Sequence, residues 1–369
     1  MKLSTRRDAL FAQLQTVTRA ASTRSAVQAL SGVHIAARSD GIELRATDME
    51  IGLRVPLEGD VVRDGGVVLP ARLLVDVVRA LPGDAVSLEL RTSEQDVEIV
   101  AGSATFHIRT LRLEDFPPFP EAEAEGRVSV PGDAFVETVL KVARSASRDE
   151  TRPVLTGILV SASGDELRMV ATDSYRLSVK ETKLDAALEG GFEANVPARA
   201  LQELSRIVQH GHADGLTVSV RTNQVVFEAD GVVLSSRLID GQFPNYRQLL
   251  PDAYEHELEL AGREIGEVVR RISLLAQKNA PLRLAFSEGE LTVSARTPDV
   301  GEASETLPVP FQGEPLEIGF NPEFLRDGLE SVESGDVLLK LISPLRPGLI
   351  QAADGSGFQY LLMPIRLNA

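Results

Sequence analysis

The sequence predicts an α+β protein of three similar domains, each made of two helix-plus-antiparallel-sheet half-units. Three observations predict it. The segments Val68-Leu69-Pro70-Ala71-Arg72, Asn195-Val196-Pro197-Ala198-Arg199 and Gly319-Phe320-Asn321-Pro322-Glu323 place their prolines 127 and 125 residues apart. Arg45-Ala46-Thr47-Asp48 returns as Val170-Ala171-Thr172-Asp173, 125 residues on, with Ala295-Arg296-Thr297-Pro298-Asp299 as a weaker third copy. Leu113-Glu114-Asp115-Phe116-Pro117 and Ile239-Asp240-Gly241-Gln242-Phe243-Pro244 close the first two copies. Repetition at a fixed period implies copies of one folding unit. The chain of 369 residues therefore divides into 1–125, 126–252 and 253–369, each long enough to bury its own core.

Each copy opens on the same helical face: Leu10, Leu14 and Val17; Phe135, Val139 and Val142; Ile265, Val269 and Ile272. Spacings of four and then three put these residues in one apolar stripe, which reads as core. Roughly 60 residues later a proline stands at or near the first turn of a second helix, where a missing N–H costs nothing. Val77, Leu204 and Leu329 each follow that proline by seven residues. Gly41–Arg45, Ala85–Leu90, Leu216–Val220 and Glu290–Ser294 alternate apolar and polar residues, as half-buried strands do. Turns of hairpin length leave no room for crossover helices, so the sheets are antiparallel.

Composition excludes several classes. With 43% apolar and 25% charged residues the chain is globular, and the absence of Trp leaves its cores to aliphatic side chains. The most apolar stretches are broken by residues such as Arg72 and Asp76, so no segment reads as a bilayer span. Arg6, Arg7 and Asp8 directly before an amphipathic pattern do not make a secretory signal, which points to the cytoplasm. Zero Cys removes disulfides, thiolate zinc sites and Cys nucleophiles. Net charge is −16, counted as −5, −3 and −8 over the three copies. That argues against a simple high-affinity nucleic-acid binder, which gains affinity from Lys and Arg displacing counterions. Yet much of the basic charge lies beside the helices, at residues such as Arg6, Arg7, Arg19, Arg24, Arg72, Arg199, Arg270 and Lys278, so a shared positive helical surface is expected.

Catalytic constellations are not found. There is no phosphate loop, nucleophile elbow or zinc helix. His210 and His212 read as a solvated loop after a helix, and Asp354-Gly355-Ser356-Gly357 as a turn between strands. Asp48 and Asp173 occupy equivalent places in different copies, so they read as braces of a turn rather than an acid/base pair.

Arg45-Ala-Thr-Asp48, Val170-Ala-Thr-Asp-Ser-Tyr-Arg-Leu177, Leu238-Ile-Asp-Gly-Gln-Phe-Pro-Asn-Tyr-Arg247 and Leu362-Met-Pro-Ile-Arg-Leu367 together resemble the bacterial DNA polymerase III beta subunits, the replicative sliding clamps, over residues 1 to 367. The resemblance implies three DNA-clamp domains per chain and two chains closing a six-domain ring, helices lining the hole. It implies no catalytic activity, cofactor or metal. The implied role is processivity factor of the replicative polymerase, encircling duplex DNA without sequence preference. The implied partners are a second copy of the chain, the polymerase catalytic subunit, the clamp loader, other DNA polymerases, and mismatch-repair or ligase factors, with no membrane and a nucleoid-associated location. A ring held by topology needs only weak phosphate contacts, which reconciles the function with the charge.

Carried over by position, the DNA-binding residues are Arg24, Arg148 and Arg152; the family's aromatic pair after the second loop is replaced by Pro153 and Val154. The implied partner-peptide pocket has Arg152, Leu155, Thr172, Ser174, Tyr175, Arg176 and Leu177 on one wall and Pro244, Gln248 and Leu249 on the next. Its third wall is Asn321, Phe324, Leu345, Pro347, Leu361, Met363, Pro364, Ile365 and Arg366. Leu177, Pro244, Leu361 and Met363 are expected to bury the peptide's apolar anchors, and Arg152 and Arg176 to hold its polar flank. On the residues alone Leu177, Leu249 and Leu361 read equally as core. Ser174 and Tyr175 stand where smaller or basic residues are common in the family, Gln248 where Arg is, and Asn368-Ala369 extend the terminus. Phe106 and Leu274 match apolar contacts of the dimer seam. The alternative is a repeat-built scaffold or binding module of unknown ligand, with or without a latent carboxylate-based hydrolase activity; a dimer retained on circular but not linear DNA separates the two.

Overall fold

A computed structural model describes residues 1–120, 127–211, 215–276, 280–298, 300–332 and 335–367. Its contacts group into two compact units: residues 1–136 with 199–238 (unit 1) and 137–198 with 239–369 (unit 2). Six α-helices are present among the described residues: α1 (Arg7–Val17), α2 (Ala71–Ala80), α3 (Gly132–Val142), α4 (Ala198–Gly211), α5 (Gly262–Ile272) and α6 (Pro322–Ser331). The expected stripes are all inside. Leu10, Leu14, Val17, Phe135, Val139, Val142, Ile265, Val269 and Ile272 are buried, as are Val77, Leu204 and Leu329.

Each copy differs from expectation at its start, where a short strand precedes the first helix: Lys2–Arg6, Arg127–Pro131 and His256–Leu260. These strands alternate buried and exposed residues over only five positions, too few for the pattern to stand out from the helix that follows. In the first two copies the second helix begins directly after its proline, at Ala71 and Ala198. In α6 Pro322 takes the first position, and the Asn321 side chain accepts from the N–H of Glu323 and Phe324 at 2.9 and 3.1 Å.

Unit 1 holds a five-stranded and an eight-stranded antiparallel sheet, unit 2 an eight-stranded and a four-stranded one. The eight-stranded sheets decide where sites form. In unit 1, strand Ile51–Leu57 of the first copy pairs with Val232–Arg237 of the second. In unit 2, strand Arg176–Lys183 of the second copy pairs with Phe358–Leu362 of the third. One half-sheet of the middle copy therefore continues into each neighbour. The core of unit 2 lies between its helices and the inner sheet faces, with Phe286, Phe311, Phe320 and Tyr360 as its largest members. The expected turn at Asp354–Gly357 joins strands Gly348–Ala352 and Phe358–Leu362. Gly357 has φ +77°, and a Cβ there would stand 2.3 Å from the Glu181 carbonyl oxygen, so only glycine fits.

His210 lies within α4 rather than in a loop after it. His212, Lys278, Asp299 and Asn368-Ala369 lie outside the described residues. No helix among the described residues is long and apolar enough to cross a membrane.

Candidate functional site

The implied pocket residues all fall in unit 2. Its frame is a row across three strands. Leu177 pairs with Leu361, and Leu361 with Leu349. Side chains alternate across a sheet, so this row lies on the face opposite Arg176, Tyr360 and Leu362. There it joins Val170, Val179, Phe243 and Tyr246, with Val154, Leu159, Leu250 and Tyr254 packed against them. Leu177 and Leu361 are 2% and 3% exposed. They form a floor, closed over by segment 243–254, and are not free anchors. Sequence reasoning missed Val170, Val179, Phe243 and Leu349 in this floor. Cross-strand register, absent from a linear motif, is what brings them there.

Exposed apolar surface sits at the rim instead. Tyr175 is 62% exposed, Leu345 61%, Leu249 49% and Met363 44%. Arg176 and Gly348 both pair with Leu362, so Tyr175, Met363 and Pro347 follow at three adjacent strand ends, and the Met363 N–H donates to the Tyr175 carbonyl at 2.9 Å. Apolar groups clustered in this way on a surface mark a place where something docks. Pro244 and Gln248 are exposed on the covering segment, and Leu155 is buried. Ile365 ties the C-terminal segment down through its N–H to the Gly319 carbonyl at 2.7 Å, leaving Arg366 exposed. Beside the floor a cavity of about 310 Å³ opens, walled by Leu159, Ser161, Arg168, Val170, Glu193 and segment 242–247, Pro244 included.

A buried arginine holds this rim. Arg176 is expected at the peptide's polar flank, but it is 9% exposed and lies beneath the site. Its guanidinium donates to Asp173 Oδ2 at 3.0 Å, Asp327 Oδ2 at 2.6 Å and the Arg144 carbonyl at 2.5 Å. It also stacks over the Phe324 ring, 4.2 Å from its centroid. Burial opposes its charge, but Tyr360 and the two carboxylates outweigh burial and keep it ionised. The same Asp173 accepts from the N–H of Tyr175 and Arg176 through Oδ1, at 2.9 and 3.0 Å, and Thr172 Oγ1 donates to the Arg176 carbonyl at 2.7 Å. Asp173 thus braces a turn, as its position in the repeat implies. Arg152 does face the rim: its guanidinium donates to Ser174 Oγ at 2.9 Å and to Asp149 Oδ2 at 2.8 Å.

The basic residues separate into two groups. Arg19, Arg144, Arg199, Arg206, Arg263 and Arg271 each pair with a carboxylate, so the expected positive surface is partly neutralised at short range. Arg24 and Arg148 are exposed and have no ion pair among the described residues. At the implied seam, Phe106 lies on Ala104–Arg109, an edge strand of unit 1, and is 37% exposed. Leu274 follows α5 and at 82% is the most exposed large apolar residue described. His34 is partly buried in unit 1 against Phe116, ring centroids 5.2 Å apart. Burial, then the charges of Arg45 and Arg38, lower its pKa to about 4. No group of three or more potential metal ligands occurs among the described residues.

Comparison with known proteins gives this geometry its family. Models of the DNA polymerase III beta subunit match end to end: the N-terminal domain over residues 1–120, the central domain over 129–245 and the C-terminal domain over 247–366. The chain belongs to the beta sliding clamp family. The beta sliding clamp of Streptomyces coelicolor is 32% identical over 379 residues, covering all of both chains. That of Bacillus subtilis is 29% identical over 378 residues, covering 99% of this chain and 100% of the other. The crystal structure of the Bacillus subtilis sliding clamp superposes with a TM-score of 0.92 at 28% identity, and that of a Bartonella birtlesii clamp bound to griselimycin with 0.93 at 28%; both cover 100% of each chain. The protein is therefore a sliding clamp, the non-catalytic processivity subunit of the DNA polymerase III holoenzyme, with the three-domain clamp fold. The scaffold-of-unknown-ligand alternative is not favoured.

Proposed function

We propose that the rim of unit 2 is where polymerase, loader and repair factors dock short linear peptides. The observation that carries this is the meeting of three strand ends, which sets Tyr175, Met363 and Pro347 side by side over a closed leucine floor. A peptide brings apolar anchors to such a rim, and Met363 adapts to different ones. Arg152, already turned toward Ser174, holds the polar flank. Truncation before Met363 removes one third of the rim. It is expected to abolish binding of a Gln-x-x-Leu-Phe-type peptide in a fluorescence polarisation titration while circular dichroism is unchanged. Affinity within a factor of two of the intact protein overturns the assignment.

The remaining assignments belong to the same reading. Three domains, 1–125, 126–252 and 253–369, repeat in two chains joined head to tail, with Phe106 and Leu274 at the seam, and the closed ring encircles duplex DNA in the cytoplasm, on the nucleoid. Arg24 and Arg148, with no ion pair among the described residues, offer the phosphate contacts, and Arg152 contributes less because Asp149 already engages it. Retention on closed circular DNA and loss on linearisation test the ring. Replacing Arg24 and Arg148 by Glu is expected to reduce loader-dependent assembly and to leave the dimer intact; a lost dimer makes their role structural.

A further inference from the structure

The frame of the docking site occurs twice in this chain. In unit 1, Gly52 pairs with Ser235 and Ser235 with Val226, reproducing the row Leu177, Leu361, Leu349 of unit 2. The turn before the row repeats bond for bond. Thr47 Oγ1 donates to the Ile51 carbonyl at 2.9 Å, and Asp48 Oδ1 accepts from the N–H of Glu50 and Ile51 at 3.0 and 2.8 Å. Met49 has φ 78° where Ser174 has 79°. The rim closes in the same way, the Arg237 N–H donating to the Glu50 carbonyl at 2.9 Å as Met363 donates to Tyr175. A cavity of about 110 Å³ lies there, walled by Met49, Gly52, Ser235, Arg237 and the segment Pro117–Pro120.

The backbone is shared and the side chains are not. Tyr175 and Met363 become Glu50 and Arg237, Pro347 becomes Gln224, and the two floor leucines become Gly52 and Ser235. Covering Glu50 and Arg237 with a leucine or phenylalanine anchor strips water from two charges and returns no partner. The floor is also taken: a Cβ on Gly52 would meet Ser235 Oγ at 2.7 Å and Phe119 Cε2 at 3.0 Å, so Ser235 and the chain's own Phe119 stand where a leucine would go. The remaining 110 Å³ is well short of the roughly 300 Å³ at which ligand pockets begin.

We propose that the clamp carries two copies of one peptide-docking frame, and that Glu50, Gln224, Ser235 and Arg237 silence the copy in unit 1, so that specificity for the partner resides in their counterparts Tyr175, Pro347, Leu361 and Met363. Discrimination here comes from elements placed against the peptide as well as for it. The inference rests on the docking reading above, and methionine separates the two. Of four methionines, Met49 and Met363 lie one at each frame and are half-exposed, while Met1 and Met169 are buried. In the intact protein labelled at the methionine methyl, titration with a Gln-x-x-Leu-Phe-type peptide is expected to shift Met363 and leave Met49 unmoved. In the triple variant Glu50→Tyr, Ser235→Ala, Arg237→Met, the Met49 signal is expected to shift as well, with Met1, the buried methionine of unit 1, unchanged as the check on folding. The reciprocal variant Tyr175→Glu, Met363→Arg is expected to weaken binding about tenfold or more by fluorescence polarisation. A Met49 signal that already moves in the intact protein, one that stays still in the triple variant, or a reciprocal variant within twofold of wild type each overturns the inference. A peptide that moves neither methyl in the intact protein removes the docking reading itself, and this inference with it.

Discussion

Unit 1 and unit 2 fold the same turn and brace it from opposite sides. In unit 1, Asp48 Oδ2 accepts from Arg199 of α4 at 2.6 Å. In unit 2, Asp173 Oδ2 accepts from Arg176 on its own strand, and the position on α6 that corresponds to Arg199 is Phe324, whose ring underlies that arginine. Charge and apolar surface have exchanged places between helix and strand while the carboxylate keeps its partner. Arg199 is half-exposed and serves that turn with one ion pair; Arg176 is buried and serves two carboxylates, a carbonyl and a ring. An aspartate that must cap a tight turn needs a counter-charge, and either element can supply it. Only the buried form also gives the rim above it a rigid base.

The largest expected effect separates the two braces. Arg176→Met leaves Asp173 and Asp327 without their buried partner, and breaking such a pair costs about 3 kcal/mol or more. Arg199→Ala breaks a pair half in water and costs about 1 kcal/mol or less. Chemical denaturation of both variants measures the difference, and peptide titration gives the second reading: Arg176→Met is expected to weaken docking and Arg199→Ala to leave it unchanged. Equal destabilisation by the two would show that burial does not distinguish the braces.

Much of this contrast was not legible in the sequence. The repeat, the helical stripes and the turn motif were, because they depend on spacing along the chain: Thr47-Asp48 and Thr172-Asp173 announce one structure 125 residues apart. Which member of a motif faces out was not. Tyr175, Arg176 and Leu177 are consecutive, yet they stand at the rim, beneath the sheet and in the floor, since a strand turns successive side chains to opposite faces and the strand end releases the third. Floor residues such as Val179, Leu349 and Phe243 meet only through strand pairing and a covering loop. Phe106 and Leu274 were singled out only by the resemblance, not by any local pattern, and both are exposed.

A second difference lies at the third position of two corresponding glycine-led strands, two residues after Gly32 and Gly157, where unit 1 has His34 and unit 2 has Leu159. With the His34 pKa at about 4 against an ordinary 6.5, the unfolded chain takes up a proton at mildly acid pH and the folded chain does not. The histidine's contribution is therefore present above pH 6.5 and falls as pH drops toward 4. Between pH 7 and pH 5 the loss amounts to about 2 kcal/mol. Wild type and His34→Leu, unfolded by urea at both pH values, are expected to differ in that pH-dependent loss by this amount. Parallel pH dependence in the two proteins would place the acid sensitivity elsewhere.

The smallest effect tests whether the two turns carry the same backbone cost. Met49 and Ser174 adopt φ of 78° and 79°, a left-handed conformation that glycine takes freely and other residues pay to enter. Glycine at either position relieves that strain and is expected to raise stability by about 0.5–1 kcal/mol, partly offset by the greater freedom it gives the unfolded chain. The gains should not be equal. Met49 offers its turn nothing beyond backbone, and its half-exposed side chain is lost cheaply, whereas Ser174 Oγ accepts from Arg152 at 2.9 Å, a bond that glycine abolishes. Met49→Gly is thus expected to stabilise more than Ser174→Gly, by a few tenths of a kcal/mol in thermal or urea unfolding. Only Ser174→Gly should alter peptide affinity, because it frees Arg152. If Ser174→Gly stabilised the protein more than Met49→Gly and left docking untouched, the Arg152–Ser174 bond would be idle, and the polar flank of the site would have to be assigned to another residue.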